Sequence, residues 1–510
     1  MNTGNPTPSE GGRLSRRDAL KLAGLFTLGA AFQQLAHIRL PLAQATSARP
    51  NFLILVLDTL SARHMSLYGY PRQTTPSIAR LAESAMVYHN HHAAGSFTTP
   101  GTASLLTGTY PWSHRALQPS SMAREDFTSR SLFNLISPEY FSLAYTHNPL
   151  AMYLLHQFHR GIGELMPFGA LTLKEMTAAG SWLWNDFPMA DTAENVITGI
   201  GQPPSSLFLS AMEPLGQRQP ALRAEYRDLF PKGLPGGESR SFTLEACTDW
   251  LSHNLATLPS PHLAYFHLLP PHEPYLPRKE FIGTFPADLN LPAKPPHPAS
   301  EHATDEALGN LRREYDEFIA YSDAEFGRLY DNLLRSGQLD NTWLILTSDH
   351  GQLFERGIHG HLTPAMYQPL LHIPLVIRPP GGRQRLDIHD LTSNVDLLPT
   401  LLTLLNEPLP AWLEGQVLPG FTGIPDPERV VYALDAKESS VHGPLRSGTA
   451  VMRQGSYKLI HTFGYKELAD EDELYDVEAD PEELDNLYEA LPDVAAGMRA
   501  KLEESVKRNS

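Results

Sequence analysis

The sequence predicts an α/β fold in which helices flank a large, mostly parallel sheet, followed by a small carboxy-terminal α+β subdomain. Two observations lead to this prediction. Short apolar runs such as Asn51–Leu57 alternate with segments of helical periodicity, which is the pattern of strands buried in a doubly wound sheet. After about residue 425 the pattern changes to short strands, an acidic loop and a terminal helix.

Each predicted element rests on its own local pattern. Helices are predicted where apolar residues recur at helical spacing, with Pro100 in the first turn of the second one. Prolines concentrated in residues 276–300 indicate a long surface loop. The predicted strands are 51–57, 141–145, 206–209, 262–269, 343–346, 372–377, 430–434 and 457–461. The predicted helices are 78–85, 104–107, 311–334, 395–405 and 492–507.

The amino terminus has the composition of a targeting segment. The adjacent Arg16 and Arg17 precede a short apolar run, Leu22–Phe32, and the triplet Ala43–Ala45 fits an Ala-x-Ala cleavage site. An amphipathic first helix of the domain is the alternative. We therefore predict a twin-arginine signal peptide at 1–45, the export machinery as its partner, and a periplasmic or secreted protein. The predicted catalytic domain covers 50–425 and the subdomain 426–510.

The overall charge limits the possible partners and substrates. The chain has a formal net charge of −17, which argues against a nucleic-acid partner because phosphate backbones attract basic surfaces. An anionic substrate must then be attracted by a local positive charge such as a metal ion. The single cysteine, Cys247, allows no internal disulfide.

Two of the predicted strands are followed by carboxylates. Asp58 follows the first strand, and Asp349 with His350 follows the strand 343–346. Ligands of open α/β sheets bind at the carboxyl ends of strands, so these groups and the Thr98 hydroxyl would form a compact site for a divalent cation. Two carboxylates and a hydroxyl suit calcium or manganese, and the histidine admits zinc. Taken singly, each acid could equally be a helix cap or part of a turn.

The segment Ser96–Gly108 reads SFTTPGTASLLTG and resembles the nucleophile segment of the sulfatase family, within the alkaline phosphatase superfamily. Several other segments, spread over residues 51–488, resemble that family. They are Leu57–Leu60 with Tyr68–Tyr70, Thr347–Gly351, His372–Ile377, Val395–Thr400, Tyr457–Ile460 and Glu473–Leu487. The resemblance implies an alkaline phosphatase-like sandwich fold.

The resemblance also implies roles for the residues at the matching positions. Asp58, Asp349 and His350 would be metal ligands, and Thr98 would be both a ligand and the nucleophile. Sulfatases carry at that position a Cys or Ser that is oxidised to formylglycine. Because the modifying enzymes do not oxidise threonine, no formylglycine is expected here. Thr59 takes the place of a second aspartate found in many sulfatases.

Four histidines are candidates for the substrate side of the site. His272 opens the proline-rich loop and resembles a family histidine that contacts the anionic group of the substrate. His361 is the preferred proton donor, with His272 as the other catalytic histidine. His147, which follows a predicted strand, and His359, in a Gly-x-His-Gly turn, are predicted to bind substrate, although His359 could be structural. A further cluster at residues 89–92 lacks an accompanying carboxylate, and we expect it at a strand-to-loop surface.

These predictions combine into one function with open alternatives. We expect an exported, metal-dependent hydrolase of phosphate, phosphonate or sulfate esters that uses the Thr98 hydroxyl as its nucleophile. The alternatives are a sulfatase that works without formylglycine, a phosphoryl-headgroup transferase, and an inactive family member that binds its ligand without cleaving it.

Overall fold

The computed structural model describes most of the chain after the predicted signal peptide. The described residues are 49–173, 226–236, 241–286, 289, 291–421 and 426–509. The predicted signal peptide at 1–45 and the predicted strand 206–209 lie outside the described residues. No helix within the described ranges is both long enough and apolar enough to cross a membrane.

An eight-stranded mixed sheet forms the centre of the fold. Its order is β10-β2-β9-β6-β1-β5-β3-β4. Five of the seven neighbouring pairs are parallel, and β9 runs antiparallel to both of its neighbours. The strands are β1 (Asn51–Leu57), β2 (Met86–His92), β3 (Phe141–Thr146), β4 (Glu164–Leu165), β5 (His262–Leu268), β6 (Thr342–Thr347), β9 (Leu375–Arg378) and β10 (Leu386–Ser393). A separate hairpin pairs β7 (Leu353–Glu355) with β8 (Ile358–Gly360).

Helices pack around this sheet, and a second, smaller sheet follows it along the chain. The second sheet is antiparallel and consists of β11 (Val430–Asp435), β12 (Gly448–Gln454), β13 (Tyr457–Phe463) and β14 (Glu471–Asp476). The α-helices are α1 (Pro76–Ala82), α2 (Thr98–Thr107), α3 (Pro111–His114), α4 (Leu132–Leu135), α5 (Pro149–Gln157), α6 (Leu244–Asn254), α7 (Asp305–Arg335), α8 (Gln368–Leu371), α9 (Leu397–Leu405) and α10 (Pro492–Asn509). The predicted fold class is therefore confirmed.

The observed elements differ from the predicted ones in several places. The predicted strand 372–377 is the short β9, because the backbone of His372 instead ends the helical turn α8. Strands β2 and β10 were not predicted, although they pair in parallel at one edge of the sheet. The histidines at 89–92 belong to β2, and a carboxylate does accompany them: His89 Nε2 lies 2.6 Å from Asp387 Oδ1.

Helix α2 is buried along its whole length, and a glycine allows it to approach the turn after β6. A Cβ atom placed on Gly101 would lie 2.4 Å from the carbonyl oxygen of Asp349, closer than any van der Waals contact. Glycine at this position therefore brings the amino-terminal turn of α2 against Asp349. Asn394 strengthens this packing, because its side-chain amide donates a hydrogen bond of 3.0 Å to the Gly101 carbonyl.

We expect Gly101→Ala to destabilise the protein by about 1–3 kcal/mol, because the methyl group forces α2 away from the Asp349 turn. Gly309→Ala is the matched control. Gly309 lies in α7 and an added Cβ meets nothing within 4 Å, so alanine should stabilise that helix by up to about 1 kcal/mol. Denaturant unfolding of the two variants measures both effects, and equal stabilities would contradict the proposed close approach.

Candidate active site

Four adjacent parallel strands, in the order β6-β1-β5-β3, bring their carboxyl ends to one edge of the main sheet. Asp58 follows β1, Asp349 lies just beyond β6, and His267 is the next-to-last residue of β5. Val56 of β1 is in register with His267 on one side and with Thr347 on the other. The fold therefore places these side chains at the position where open α/β sheets bind ligands.

Asp58 and Asp349 meet His350 in a fully buried cluster. His350 Nε2 lies 3.5 Å from Asp58 Oδ1 and 3.6 Å from Asp349 Oδ2, and none of the three side chains is exposed. One ligand atom from each residue lies within 4.8 Å of the others. The sequence prediction that these residues meet is confirmed.

Hydrogen bonds fix the orientation of the His350 ring and of the nucleophile candidate. His350 Nδ1 donates to the Gly351 carbonyl oxygen at 2.9 Å, which leaves the Nε2 lone pair facing the carboxylates. Thr98 Oγ1 lies 3.5 Å from the same Nε2. Thr98 is also the first residue of α2, where the helix dipole and free N–H groups favour negative charge on its oxygen.

The backbone is strained at Thr59, directly after Asp58. Thr59 has a φ of +62°, a left-handed conformation that costs a β-branched residue about 1–3 kcal/mol. This conformation directs the Thr59 N–H to Asp349 Oδ1 at 3.3 Å. Tyr315 of α7 stabilises it, because its hydroxyl donates to the Thr59 carbonyl at 2.5 Å. The strained turn thus connects the two carboxylates.

The two carboxylates influence each other's protonation. Burial raises the pKa of Asp349, and the negative charge of Asp58 raises it further. Burial alone would also raise the pKa of Asp58, but the neighbouring His267, together with the charges of His272 and His350, holds that pKa below its ordinary value. Two carboxylates buried together are thus stabilised as anions by nearby positive charge and by hydrogen bonds.

Asn148 is a site residue that the sequence analysis did not identify. Its Oδ1 accepts hydrogen bonds from the N–H groups of Leu150 and Ala151 at 2.7 and 3.3 Å, which caps α5. The amide nitrogen must then point the other way, and it donates to Thr98 Oγ1 at 3.1 Å and to Asp58 Oδ2. The only sequence signal was an Asn-Pro helix start after a predicted strand.

His267 is the second residue that the sequence analysis missed. Its Nε2 lies 3.4 Å from Asp58 Oδ2 and 3.6 Å from Asp349 Oδ2, and its side chain is fully buried. In the sequence it stands inside an apolar strand, where a histidine is usually part of the core. Only the strand register reveals that it lies beside both acids.

The two predicted catalytic histidines lie together beside His350 of this cluster. The ring of His361 is 4.7 Å from that of His350 and 4.9 Å from that of His272. His361 Nδ1 donates to Gln352 Oε1 at 2.8 Å, and His272 Nδ1 donates to the Glu273 carbonyl at 2.7 Å. Burial, together with the charges of His350 and His272, lowers the pKa of His361 well below its ordinary value.

The two histidines predicted to bind substrate are placed differently. His147 is buried and stacks on Phe242, with ring centres 4.0 Å apart, and burial lowers its pKa to about 3. His359 Nε2 lies 3.0 Å from the Tyr275 hydroxyl and 3.3 Å from Glu273 Oε2. Neither contacts the carboxylate cluster directly, and their role in substrate binding stays a prediction.

The donor set fits a divalent cation. Within the described residues, Asp58 Oδ1, Asp349 Oδ2 and His267 Nε2 are buried without a hydrogen-bond partner, although buried polar atoms are nearly always paired. A cation held by Asp58, Asp349, His350 and Thr98 would satisfy the two carboxylate oxygens and neutralise both negative charges.

Comparison with known proteins gives two family matches. The family model described as Sulfatase matches residues 50–407. A second model, described as N-sulphoglucosamine sulphohydrolase, C-terminal, matches residues 357–508. Together the two matches cover both sheets and the carboxylate cluster.

Individual relatives are distant in sequence. The choline-sulfatase of Rhizobium meliloti (strain 1021) is 24% identical over 472 residues, covering 87% of this chain and 83% of that protein. The multifunctional alkaline phosphatase superfamily protein PehA of Trinickia caryophylli is 24% identical over 496 residues, covering 86% and 91%. The phosphonate monoester hydrolase of Agrobacterium radiobacter shares the fold with a TM-score of 0.65 and 20% identity, covering 91% and 96%.

We expect Asn148→Ala to lower kcat about a hundredfold, because Thr98 loses the amide that donates to its oxygen. The same change removes the α5 cap, which costs about 1 kcal/mol of stability. Asn148→Ser separates the two effects, since serine keeps a capping oxygen but lacks the amide donor. Steady-state kinetics and thermal unfolding should show lost activity in both variants and a smaller stability loss for serine. Full activity of Asn148→Ser would contradict the assignment.

Proposed function

Because the chain belongs to the sulfatase family, we propose that it is a metal-dependent ester hydrolase in which the Thr98 hydroxyl is the nucleophile and no formylglycine is formed. The observation that carries the proposal is the position of Thr98 Oγ1, 3.1 Å from the Asn148 amide and 3.5 Å from His350 Nε2. Among the described residues, no other hydroxyl forms hydrogen bonds with both of these groups. A pure ligand-binding protein has no need of such an oxygen beside paired carboxylates.

The chain's own residues prepare Thr98 for attack. The Asn148 amide and the amino-terminal N–H groups of α2 stabilise negative charge on Oγ1. Asp58, Asp349, His350 and Thr98 would hold a divalent cation, which would lower the pKa of the hydroxyl and offset negative charge on the substrate. The Thr98 hydroxyl gives its proton to solvent water. Thr98 Oγ1 then attacks the central phosphorus or sulfur atom, and the bond to the leaving oxygen breaks.

The histidines assist the departure of the leaving group. His361 and His272 both use Nδ1 as a donor to an oxygen, so each ring donates from Nε2 only as an imidazolium. Burial and the neighbouring histidines lower the pKa of His361 in the free protein, and the negative charge of a bound ester raises it again, which favours the protonated form. We assign proton donation to His361 and charge stabilisation to His272. Water then cleaves the ester on Thr98 and releases the acid.

The identity of the nucleophile favours phosphorus over sulfur. Formylglycine allows a sulfated intermediate to expel sulfate by elimination, and a threonine ester has no such route. Hydrolysis by water suits a phosphoryl or phosphonyl ester of threonine better than a sulfate ester.

The charges around the cluster favour substrates with one negative charge. Among the described residues, the titratable groups that most affect the pKa values of Asp58, Asp349 and His361 are other carboxylates and histidines. The charges of one divalent cation and two carboxylates sum to zero, which leaves little positive charge to neutralise a dianionic substrate. Phosphodiesters and phosphonate monoesters are therefore the preferred classes.

We expect Thr98→Ala to lower kcat/KM by about a thousandfold or more, which corresponds to about 4 kcal/mol of barrier. Thr98→Ser keeps the hydroxyl and should retain much of the rate. Thr99→Ala is the matched control, because Thr99 Oγ1 donates to the Pro119 carbonyl instead. A panel of 4-nitrophenyl phosphate, phosphodiester, phosphonate and sulfate esters measures these rates. Fast sulfate hydrolysis that survives Thr98→Ala would place the nucleophile elsewhere.

Changing the leaving group of the ester substrate distinguishes the role of His361 from that of His272. His361→Asn should slow an unsubstituted phenyl ester by about a hundredfold or more and a 4-nitrophenyl ester far less, because the better leaving group needs no proton. His272→Asn should slow both esters equally. The measurement is the dependence of log kcat on the leaving-group pKa for each variant. A uniform loss in His361→Asn would remove it as the proton donor.

We also propose export through the twin-arginine pathway, on the sequence pattern at Arg16 and Arg17. Replacing both by lysine should leave precursor in the cytoplasm, whereas Arg13→Lys, outside the pair, should not. Cell fractionation followed by immunoblotting distinguishes the two results. Normal export of the double variant would exclude this route.

A further inference from the structure

His267 lies against the two acids of the cluster without making a hydrogen bond to either. Its Nε2 is 3.4 Å from Asp58 Oδ2 and 3.6 Å from Asp349 Oδ2, beyond the usual range of about 2.7–3.2 Å for such bonds. Within the described residues Nε2 has no other hydrogen-bond partner, and neither has Asp349 Oδ2. Leaving buried polar atoms unpaired costs about 1–3 kcal/mol each.

The separations instead match those between ligands of one metal ion. Nitrogen and oxygen ligands lie about 2.0–2.2 Å from zinc, so two neighbouring ligands of a four- or five-coordinate ion are about 3.0–3.6 Å apart. The two His267 distances fall within this range. So do the 3.5 Å from His350 Nε2 to Asp58 Oδ1 and the 3.5 Å from His350 Nε2 to Thr98 Oγ1.

We propose that His267 is a further ligand of the metal ion, through Nε2, and that the site therefore selects zinc over calcium. The proposal rests on the metal centre of the proposed function and adds to it a ligand on β5. The donor set becomes two carboxylates, one hydroxyl and two imidazoles.

The hydrogen bond on the far side of the His267 ring leaves Nε2 available. The Tyr265 hydroxyl lies 3.3 Å from His267 Nδ1 and is itself buried. When Nδ1–H donates to that hydroxyl, Nε2 carries the lone pair that a metal requires. Metal-bound histidines commonly have such a partner on their other nitrogen, which fixes the ring orientation. The same arrangement holds for His350, whose Nδ1 donates to the Gly351 carbonyl.

The ligand types determine the metal. Calcium takes six to eight oxygen ligands, whereas imidazole nitrogens suit zinc and its neighbours in the first transition row. Three oxygen-donating side chains with one imidazole would leave calcium open, but two inward-facing imidazoles do not. The two carboxylates balance the charge of one divalent ion.

The competing explanation is that His267 is an imidazolium that pairs with both acids. A positive ring between Asp58 and Asp349 would compete with a cation, so removing it would strengthen metal binding. Ligation and ion pairing therefore predict opposite changes in metal affinity when His267 is replaced.

The test measures zinc affinity of the full chain by chelator competition in wild type, His267→Gln and His262→Gln. His262 is the matched control, because it is a buried histidine at the other end of β5 whose Nδ1 lies 3.2 Å from the Pro259 carbonyl. We expect wild type and His262→Gln to bind one zinc with equal affinity and His267→Gln to bind at least a hundredfold more weakly. Wild type should also bind zinc at least a thousandfold more tightly than calcium.

X-ray absorption at the zinc edge of wild type gives a second readout that does not depend on the variant folding. Two imidazole ligands would support the proposal, and one would overturn it. Unchanged or stronger zinc binding by His267→Gln would also overturn it while leaving the proposed function intact. If wild type binds no divalent cation at all, the proposed function itself fails.

Discussion

The structure depends on the burial of two carboxylates, Asp58 and Asp349, at adjacent strand ends. Neither side chain is exposed, and the charge of Asp58 raises the pKa of Asp349. Placing two anions together in a low-dielectric interior is unfavourable unless positive charge compensates them. In the proposed function, a divalent cation provides this compensation and also the activation that a threonine nucleophile requires, so one electrostatic requirement connects the fold to the chemistry.

Several local features of the backbone and side chains hold the two carboxylates in position. The left-handed Thr59 directs its N–H to Asp349, and Gly101 allows α2 to touch the Asp349 carbonyl. Asn148 uses one side of its amide to cap α5 and the other to hold Thr98. Each of these features places a donor or a backbone segment within reach of the carboxylates, which is the arrangement expected of a preorganised site.

The sequence predicted the fold class, β1, β5, β6 and the cluster of Asp58, Asp349 and His350, because apolar runs ending in acids are local patterns. It could not predict His267, which reads as a core residue until the register with β1 places it beside Asp58. Asn148 was missed for a related reason. Its sequence context indicates a helix cap, which uses the amide oxygen, but does not indicate that the amide nitrogen contacts Thr98. Strand β2 was missed because the polar run at 88–92 contains three histidines, although two of them are buried.

The most direct test of the account is to identify the residue that becomes covalently modified during turnover. Purified enzyme loaded with zinc and mixed with an activated phosphonate ester should be quenched in acid within the first turnover, digested and analysed by mass spectrometry. The account predicts a phosphonyl group on Thr98, formed at the same rate as the leaving group and absent in Thr98→Ala. A burst of leaving group with the modification on another residue, or with Thr98 unmodified throughout, would contradict it.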